Sequence, residues 1–366
     1  MTDAIDYRRD MLDAIELRTP ARIPFTYSAR KETDEAFRAY LGLPEGETVP
    51  NHYKCNRFAS PWSIIGDRWR LPDRSNAGRE SAGGEETITD IWGCVRVKTE
   101  YHGGYYYELC HAPLADAESA ADVEAYDWPR AEDIVWPEMP EGLDLAEAKK
   151  DVVVQCMDFI FPFGVPWSMR GMEKFMMDLA LNPDIVETMV RKCEEFGNDA
   201  MRMALEKYPG LIDLVGSGDD YGTQNGLFLS KDMIDRFFMP SLEHSYSLAA
   251  RYGVKGYHHC CGAITEIIPS FIDAGLNVLN PVQTSAAGMD PQYLKREFGK
   301  DLCFHGSIDI QQTLVHGGPA DVKAEAKSRV ETLGPDGFIL GPTHVLQPDT
   351  PMENLAALYE AANEYC

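Results

Sequence analysis

The chain has 366 residues, 44% of them hydrophobic, enough for one large core, and α/β barrels routinely reach this length as one domain. Lys and Arg number 34 against 59 Asp and Glu, a formal net charge of -25 that repels a phosphate backbone and argues against nucleic acid as a partner. No apolar run reaches the roughly 18 residues of a spanning helix, Met1 to Pro20 is charged where a signal peptide is apolar, and nine scattered cysteines do not make a secreted disulfide framework, so a cytoplasmic protein with reduced thiols and no membrane partner is expected.

In chain order, Ile23 to Tyr27 is the first candidate strand. Arg30 to about Pro140 is less regular, with a hairpin pattern at Thr87 to Lys98, the run Tyr105 to Tyr107 and an acidic surface segment from Asp116 to Asp133. It is expected to be an irregular capping insertion, 30–140, within a single domain spanning 1–366. From Val152 onward short apolar runs alternate with longer helical patterns, the signature of βα units on a parallel sheet. Strands are expected at Val152 to Cys156, Leu211 to Val215, Val254 to His258, Val278 to Asn280, Leu302 to His305 and Phe338 to Leu340. Helices are expected at Gly171 to Leu181, Asp184 to Lys207, from an N-cap at Ser230 to Tyr252, and at Thr265 to Ala274. Pro291 to Phe298, Ala320 to Leu333 and Glu353 to Tyr365 continue the series. Met169, Met172, Met176 and Met177 are expected in the core. The pattern predicts an α/β fold, a TIM (β/α)8 barrel with an N-terminal capping extension, its remaining strands supplied by the N-terminal part.

Such a barrel draws its catalytic groups from the C-terminal ends of its strands. The densest polar cluster there is Tyr257-His258-His259-Cys260-Cys261-Gly262. His259 and Cys261 are separated by one residue, so in an extended segment both project to one side, as two zinc ligands do, and His258 and Cys260 project to the other. The alternative is a small buried thiol and a satisfied core histidine. Asp219 and Asp220 are a ligand and its supporting partner, or caps of the following turn; Asp219 is the expected catalytic group, and Asp220 and Tyr221 are expected substrate contacts. Asn280, Gln283 and Thr343 are further candidate substrate contacts at strand ends. His305 and His344 each suit completion of a metal site, orientation of a carboxylate, or acid and base work near neutral pH, against a purely structural role. The glycines from Gly216 to Gly222 match no nucleotide fingerprint.

Together, Arg22-Ile23-Pro24, Asp90-Ile91-Trp92-Gly93, Gly104-Tyr105-Tyr106, Gly218-Asp219-Asp220-Tyr221-Gly222, His259-Cys260-Cys261-Gly262, Asn280-Pro281-Val282-Gln283, Phe304-His305-Gly306-Ser307-Ile308-Asp309 and the closing Gln347 to Asn354 resemble the uroporphyrinogen decarboxylase-like superfamily over nearly the whole chain. The motifs look most like its zinc- and corrinoid-dependent methyltransferase branch. Decarboxylases of the superfamily carry an N-terminal Met-Arg-Gln-Ala-Gly-Arg-like stretch whose arginines hold the substrate carboxylates. Here Arg22-Ile23-Pro24-Phe25-Thr26-Tyr27 runs on without it, and an acidic chain suits an eight-carboxylate tetrapyrrole poorly. The methyltransferase branch uses a His-x-Cys pair and a later Cys as zinc ligands. His259 and Cys261 match the pair, but Thr343 stands where the later Cys is expected, leaving His344, Asp219 or a substrate atom to complete the metal.

The resemblance implies a corrinoid-protein-dependent methyltransferase that moves a methyl group from a small methoxylated or methylated donor to cobalamin on a separate carrier protein. Zinc acts as a Lewis acid in either direction of transfer, on the heteroatom that loses the methyl or on a thiol that receives it. Fewer thiolates leave the metal more electrophilic, which favours demethylation of the donor. The competing readings are a metal-free decarboxylase of a tetrapyrrole or small acid, in which Asp219 stabilises a protonated intermediate, and a non-catalytic binding protein.

Overall fold

The computed structural model describes residues 5–72, 74, 80–82, 85–101 and 104–366. The first four residues of the charged N-terminal stretch and parts of 30–140 lie outside them. The strands are β1 (Arg57–Ala59), β2 (Glu80–Ala82), β3 (Glu85–Thr89), β4 (Val95–Tyr101), β5 (Gly104–His111), β6 (Val152–Cys156), β7 (Leu214–Ser217), β8 (Lys255–His259), β9 (Leu276–Asn280), β10 (Cys303–Ile308) and β11 (Phe338–Pro342). Strands β1 and β6 to β11 form one curled parallel sheet in that order. Its two edges are joined by a short N-terminal segment: Phe25 bridges Leu340 of β11 and Thr26 bridges Asn56 beside β1, both in parallel. The expected strand at Ile23 to Tyr27 is therefore only a pair of isolated bridges, in the place an eighth barrel strand takes. Pro24 offers this segment no N–H and accepts from Leu340 through its carbonyl alone.

Inside the sheet, Phe58, Val153, Leu214, Tyr257, Val278, Cys303 and Ile339, one residue from each strand, pack in a single layer. Met11, Ala14 and Ile15 of the helix Tyr7–Ile15 pack against it. Arg8 and Lys149 pin that end by pairing with Asp213 at 2.7 and 2.8 Å. Burial pushes the Asp213 carboxyl up, and the bonds from Arg8 and Lys149 more than offset it, so its pKa lies below the usual carboxylate range. Because side chains alternate with period two, the next layer on the same side holds Gln155, Gly216, His259, Asn280, His305 and Gly341. The core thus turns polar one layer toward the C-terminal ends of the strands.

The elements from β6 onward follow the expected order, with the short helices Gly164–Arg170 and Thr313–His316 added and several bounds changed. The apolar Leu211 and Ile212 are buried in the turn ahead of β7 and not in the strand. The helix expected from Ser230 to Tyr252 is two, Lys231–Phe237 and Met239–Arg251, since Pro240 in the first turn of the second cannot donate to the turn before it. Thr265 to Ala274 opens as a 3-10 turn, Thr265–Ile267, before the helix Ile268–Asp273. Of the methionines expected in the core, Met169 is buried, but Met172 and Met177 are 45% and 52% exposed, on the outer face of the helix Met172–Leu181.

Strands β2 to β5 form a separate antiparallel sheet, with the expected hairpin realised as β3 and β4, Thr87 opposite Val97. The 30–140 stretch is not irregular throughout, because it also supplies barrel strand β1, too short at three residues to show an alternating pattern. Among the described residues no helix is long and apolar enough to cross a membrane, and all nine cysteines are unpaired.

Candidate metal and active site

Strand β8 delivers His259 to the barrel mouth, and Cys261 follows on the same side, its Sγ 3.4 Å from His259 Nε2. Asp220, on the loop after β7, completes a group of three: one donor atom from each of Asp220, His259 and Cys261 lies within 4.8 Å of the others. Asp220 Oδ1 also accepts from the Cys261 amide at 2.6 Å. On the far side of the imidazole, His259 Nδ1 is 2.7 Å from Asn280 Oδ1, and the Nδ2 of the same amide donates to the His305 carbonyl at 3.4 Å. An amide oxygen only accepts, so Nδ1 carries the proton and Nε2 turns its lone pair toward Cys261. Nitrogen, sulfur and carboxylate oxygen on a pre-oriented imidazole fit a zinc ion with one coordination position left open. Burial and the Asp220 carboxylate push the Cys261 thiol up to about 12. A divalent cation among the three donors reverses that preference, since the thiolate is the ligand.

His259 also borders a cavity of about 320 Å³ lined by Thr26, Gln155, Tyr257, Asn280, His305, Thr343 and His344. The His305 ring is held at both nitrogens, Nε2 2.8 Å from the Thr26 hydroxyl and Nδ1 3.2 Å from the Tyr257 hydroxyl. Burial pushes it down to about 3, so the ring is neutral and serves as a fixed hydrogen-bonding wall, not as a cation. His344 is exposed at the rim with its ring centroid 5.8 Å from that of His259. Desolvation and the neighbouring His259 hold it below the ordinary imidazole range. Gln155 Nε2 is buried at the cavity wall beside Tyr257 and makes no well-formed hydrogen bond among the described residues.

Residues 113–365 match the uroporphyrinogen decarboxylase (URO-D) family. The chain belongs to that family. Within it, this URO-D protein is 27% identical over 202 residues to the methylcobamide:CoM methyltransferase MtaA of Methanosarcina barkeri, and equally to MtaA of strain Fusaro / DSM 804. Each alignment covers 54% of this chain and 51% of the relative, so the chain spans about half the length of the curated relatives it matches. A solved methyltransferase from Methanosarcina mazei matches over 99% of both chains with a TM-score of 0.61 and 18% identity, which shows a shared fold.

In this URO-D protein not every residue singled out in the sequence reaches the cavity. Asp219, the expected catalytic carboxylate, accepts from the amides of Phe163 and Gly164 at 3.1 and 2.8 Å and from the Ser217 hydroxyl at 3.1 Å. It ties the loop after β6 to β7, and burial pushes it up to about 6. Asp220, not Asp219, lies beside His259 and Cys261. Leu214 points inward, but β7 ends at Ser217, so it is the path of the following loop that turns Asp220 toward His259 and Asp219 toward Phe163 and Gly164. Tyr221, an expected substrate contact, is buried between Phe163 and Phe238, and its amide donates to Cys260 Sγ at 3.2 Å. Gln283, another, uses Oε1 to hold the Gly262 amide at 2.8 Å, which fixes the turn after Cys261. His258 faces outward, between the Tyr246 hydroxyl at 3.2 Å and the Asp219 carbonyl at 3.1 Å, and burial pushes it down to about 3. Asn280 and Thr343 do line the cavity, together with Thr26 and Gln155, which the sequence reading missed. Gln155 was within reach of strand alternation, two residues after inward-facing Val153.

Proposed function

We propose that this URO-D family member is a corrinoid-protein-dependent methyltransferase that moves a methyl group from a small methylated or methoxylated donor to cobalamin on a carrier protein. The single observation that carries the reading is the convergence of Asp220, His259 and Cys261 within 4.8 Å, with the imidazole already oriented by Asn280. Zinc held there supplies Lewis acidity to the heteroatom that bears the methyl group. Asp220 replaces the second thiolate expected for the branch, and a carboxylate gives less charge back to the metal than a thiolate does, in keeping with a site that activates a poor leaving group. The partial sequence likeness to methyltransferases that handle methylcobamide supports the same class of reaction.

The chain's own groups do the remaining work. Asn280 keeps the His259 proton on Nδ1, and Asp220 accepts from the Cys261 amide, so the ligands are held before any metal arrives. The cavity beside them, about 320 Å³, admits a small donor, and neutral His305, the Gln155 amide and the Thr343 side chain are the groups placed to hold its polar atoms. His344 at the rim is more exposed than His259 or His305 and is the candidate for exchanging a proton with the departing group.

Elemental analysis of protein purified without chelators, alongside Cys261→Ser, tests the reading. About one zinc per chain is expected in the wild type and little in the variant, with methylcobalamin formed from a methylated donor and a corrinoid protein only by the wild type. Full turnover after thorough chelation would overturn it.

A further inference from the structure

A second, larger cavity lies between the cap sheet and the barrel, with a volume of about 610 Å³. Its walls are mainly apolar and aromatic: Trp69, Leu71, Ile91, Trp92, Phe161 and Met157. Trp69 and Trp92 are 8% and 4% exposed, so protein covers most of each indole and only their edges reach the cavity, while Ile91, Met157 and Phe161 are more open to it. Size and lining are those of a small-molecule site, an apolar box with a few polar groups that set orientation.

The polar groups in this cavity are unequal. Asp90 accepts from the amides of Trp92 and Cys94, at 3.0 Å each, and pairs with Arg96. Asp158 accepts from Arg68 at 2.8 Å and from the indole N–H groups of Trp62 and Trp69. Both carboxylates, and Arg68, are therefore spent on the protein itself. Asp67 is exposed and accepts from the amide next to it. Arg70 differs: its side chain is exposed at the cavity rim, its backbone pairs with Val135, and among the described residues its guanidinium has no hydrogen bond or ion pair. A chain of net charge -25 thus presents an unneutralised cation at the edge of an aromatic cavity.

We infer that this cavity binds a flat, apolar carboxylic acid, its ring packed against Ile91, Met157 and Phe161 and its carboxylate paired with Arg70. The guanidinium fork matches a carboxylate bidentately, and the Phe161 ring with the edges of two indoles favours a planar ring over a flexible chain. The cavity also neighbours the metal side through shared wall residues. A smaller cavity of about 260 Å³ shares Met157 and Asp158 with it and shares Phe58 and Gln155 with the cavity beside His259. That the bound acid is also the methyl donor rests on the methyl-transfer reading; that it binds does not.

Isothermal titration with benzoate, with benzamide as the neutral analogue, separates the two claims when run on wild type, Arg70→Met, Arg70→Lys and Cys261→Ser. Saturable benzoate binding is expected in the wild type, with quenching of tryptophan fluorescence. It should weaken at least tenfold in Arg70→Met, weaken less in Arg70→Lys, and survive in Cys261→Ser even if that variant has lost all metal and turnover. Circular dichroism checks that each variant is folded. No binding by the wild type, equal binding of benzamide, or unchanged binding by Arg70→Met overturns the inference, and loss of binding in folded Cys261→Ser places the acid at the metal side instead.

Discussion

His259 meets its two neighbours on opposite edges of one ring, Asn280 at 2.7 Å and Cys261 at 3.4 Å. The first contact decides what the second can be, because a ring that donates from Nδ1 has only Nε2 left as a ligand. Partners of this kind typically account for a factor of roughly 10 to 100 in metal affinity. Asn280→Ala is accordingly expected to weaken zinc binding by about that factor without abolishing it, read by competition with a chromophoric chelator, whereas Asp220→Asn and Cys261→Ser remove a donor and should cost more. At this scale the sequence was informative where two residues stand close along one strand. The His259 and Cys261 pair was legible, while the choice between Asp219 and Asp220 turns on the path of the loop after β7, which ends at Ser217. Sequence alone does not settle that, because strand alternation stops where the strand does.

The long helix Pro183–Lys207 shows how an element answers to its neighbours and not only to its own propensities. Gly197 sits near its middle, where alanine is ordinarily better by about 1 kcal/mol. A Cβ there would lie 2.0 Å from the Phe159 carbonyl oxygen, a backbone atom that cannot swing aside. The steric term wins, and Gly197→Ala is expected to lower the melting temperature by several degrees where propensity alone predicts a small rise; differential scanning calorimetry decides. The same loop after β6 carries Phe163 and Gly164, whose amides Asp219 binds, so this contact lies one short segment from the site. Helix positions were legible from periodicity and caps. The break at Pro240 was visible as a residue type, but its consequence was missed because the apolar pattern continues across it.

For the molecule as a whole, the charge of -25 is a property that folding must tolerate. Like charges held in one compact body repel, and salt weakens that repulsion, the Debye length falling from roughly 30 Å at about 10 mM to roughly 8 Å at about 150 mM. Thermal melts over that range of NaCl are expected to move upward with salt; a fall would mean that the surface ion pairs outweigh the excess of carboxylates. Barrel closure also belongs to this scale. Two bridges, at Phe25 and Thr26, join sheet edges that are some 280 residues apart in sequence, Leu340 and Asn56. They also place Thr26 against His305, so closing the sheet and building the cavity wall are one event.

By itself the sequence determined the parallel βα series, the family likeness and the His259 and Cys261 pair, because each is written in residues close together in the chain and governed by periods of two or 3.6. The tertiary structure alone decided which carboxylate lies beside His259 and Cys261, the burial of Tyr221 among aromatic rings, the use of Gln283 to hold the Gly262 amide, the barrel role of β1 and the cavity between the β2–β5 sheet and the barrel. Those depend on strand register and on contacts between segments far apart in the chain, where one residue of slip moves a side chain to the opposite face.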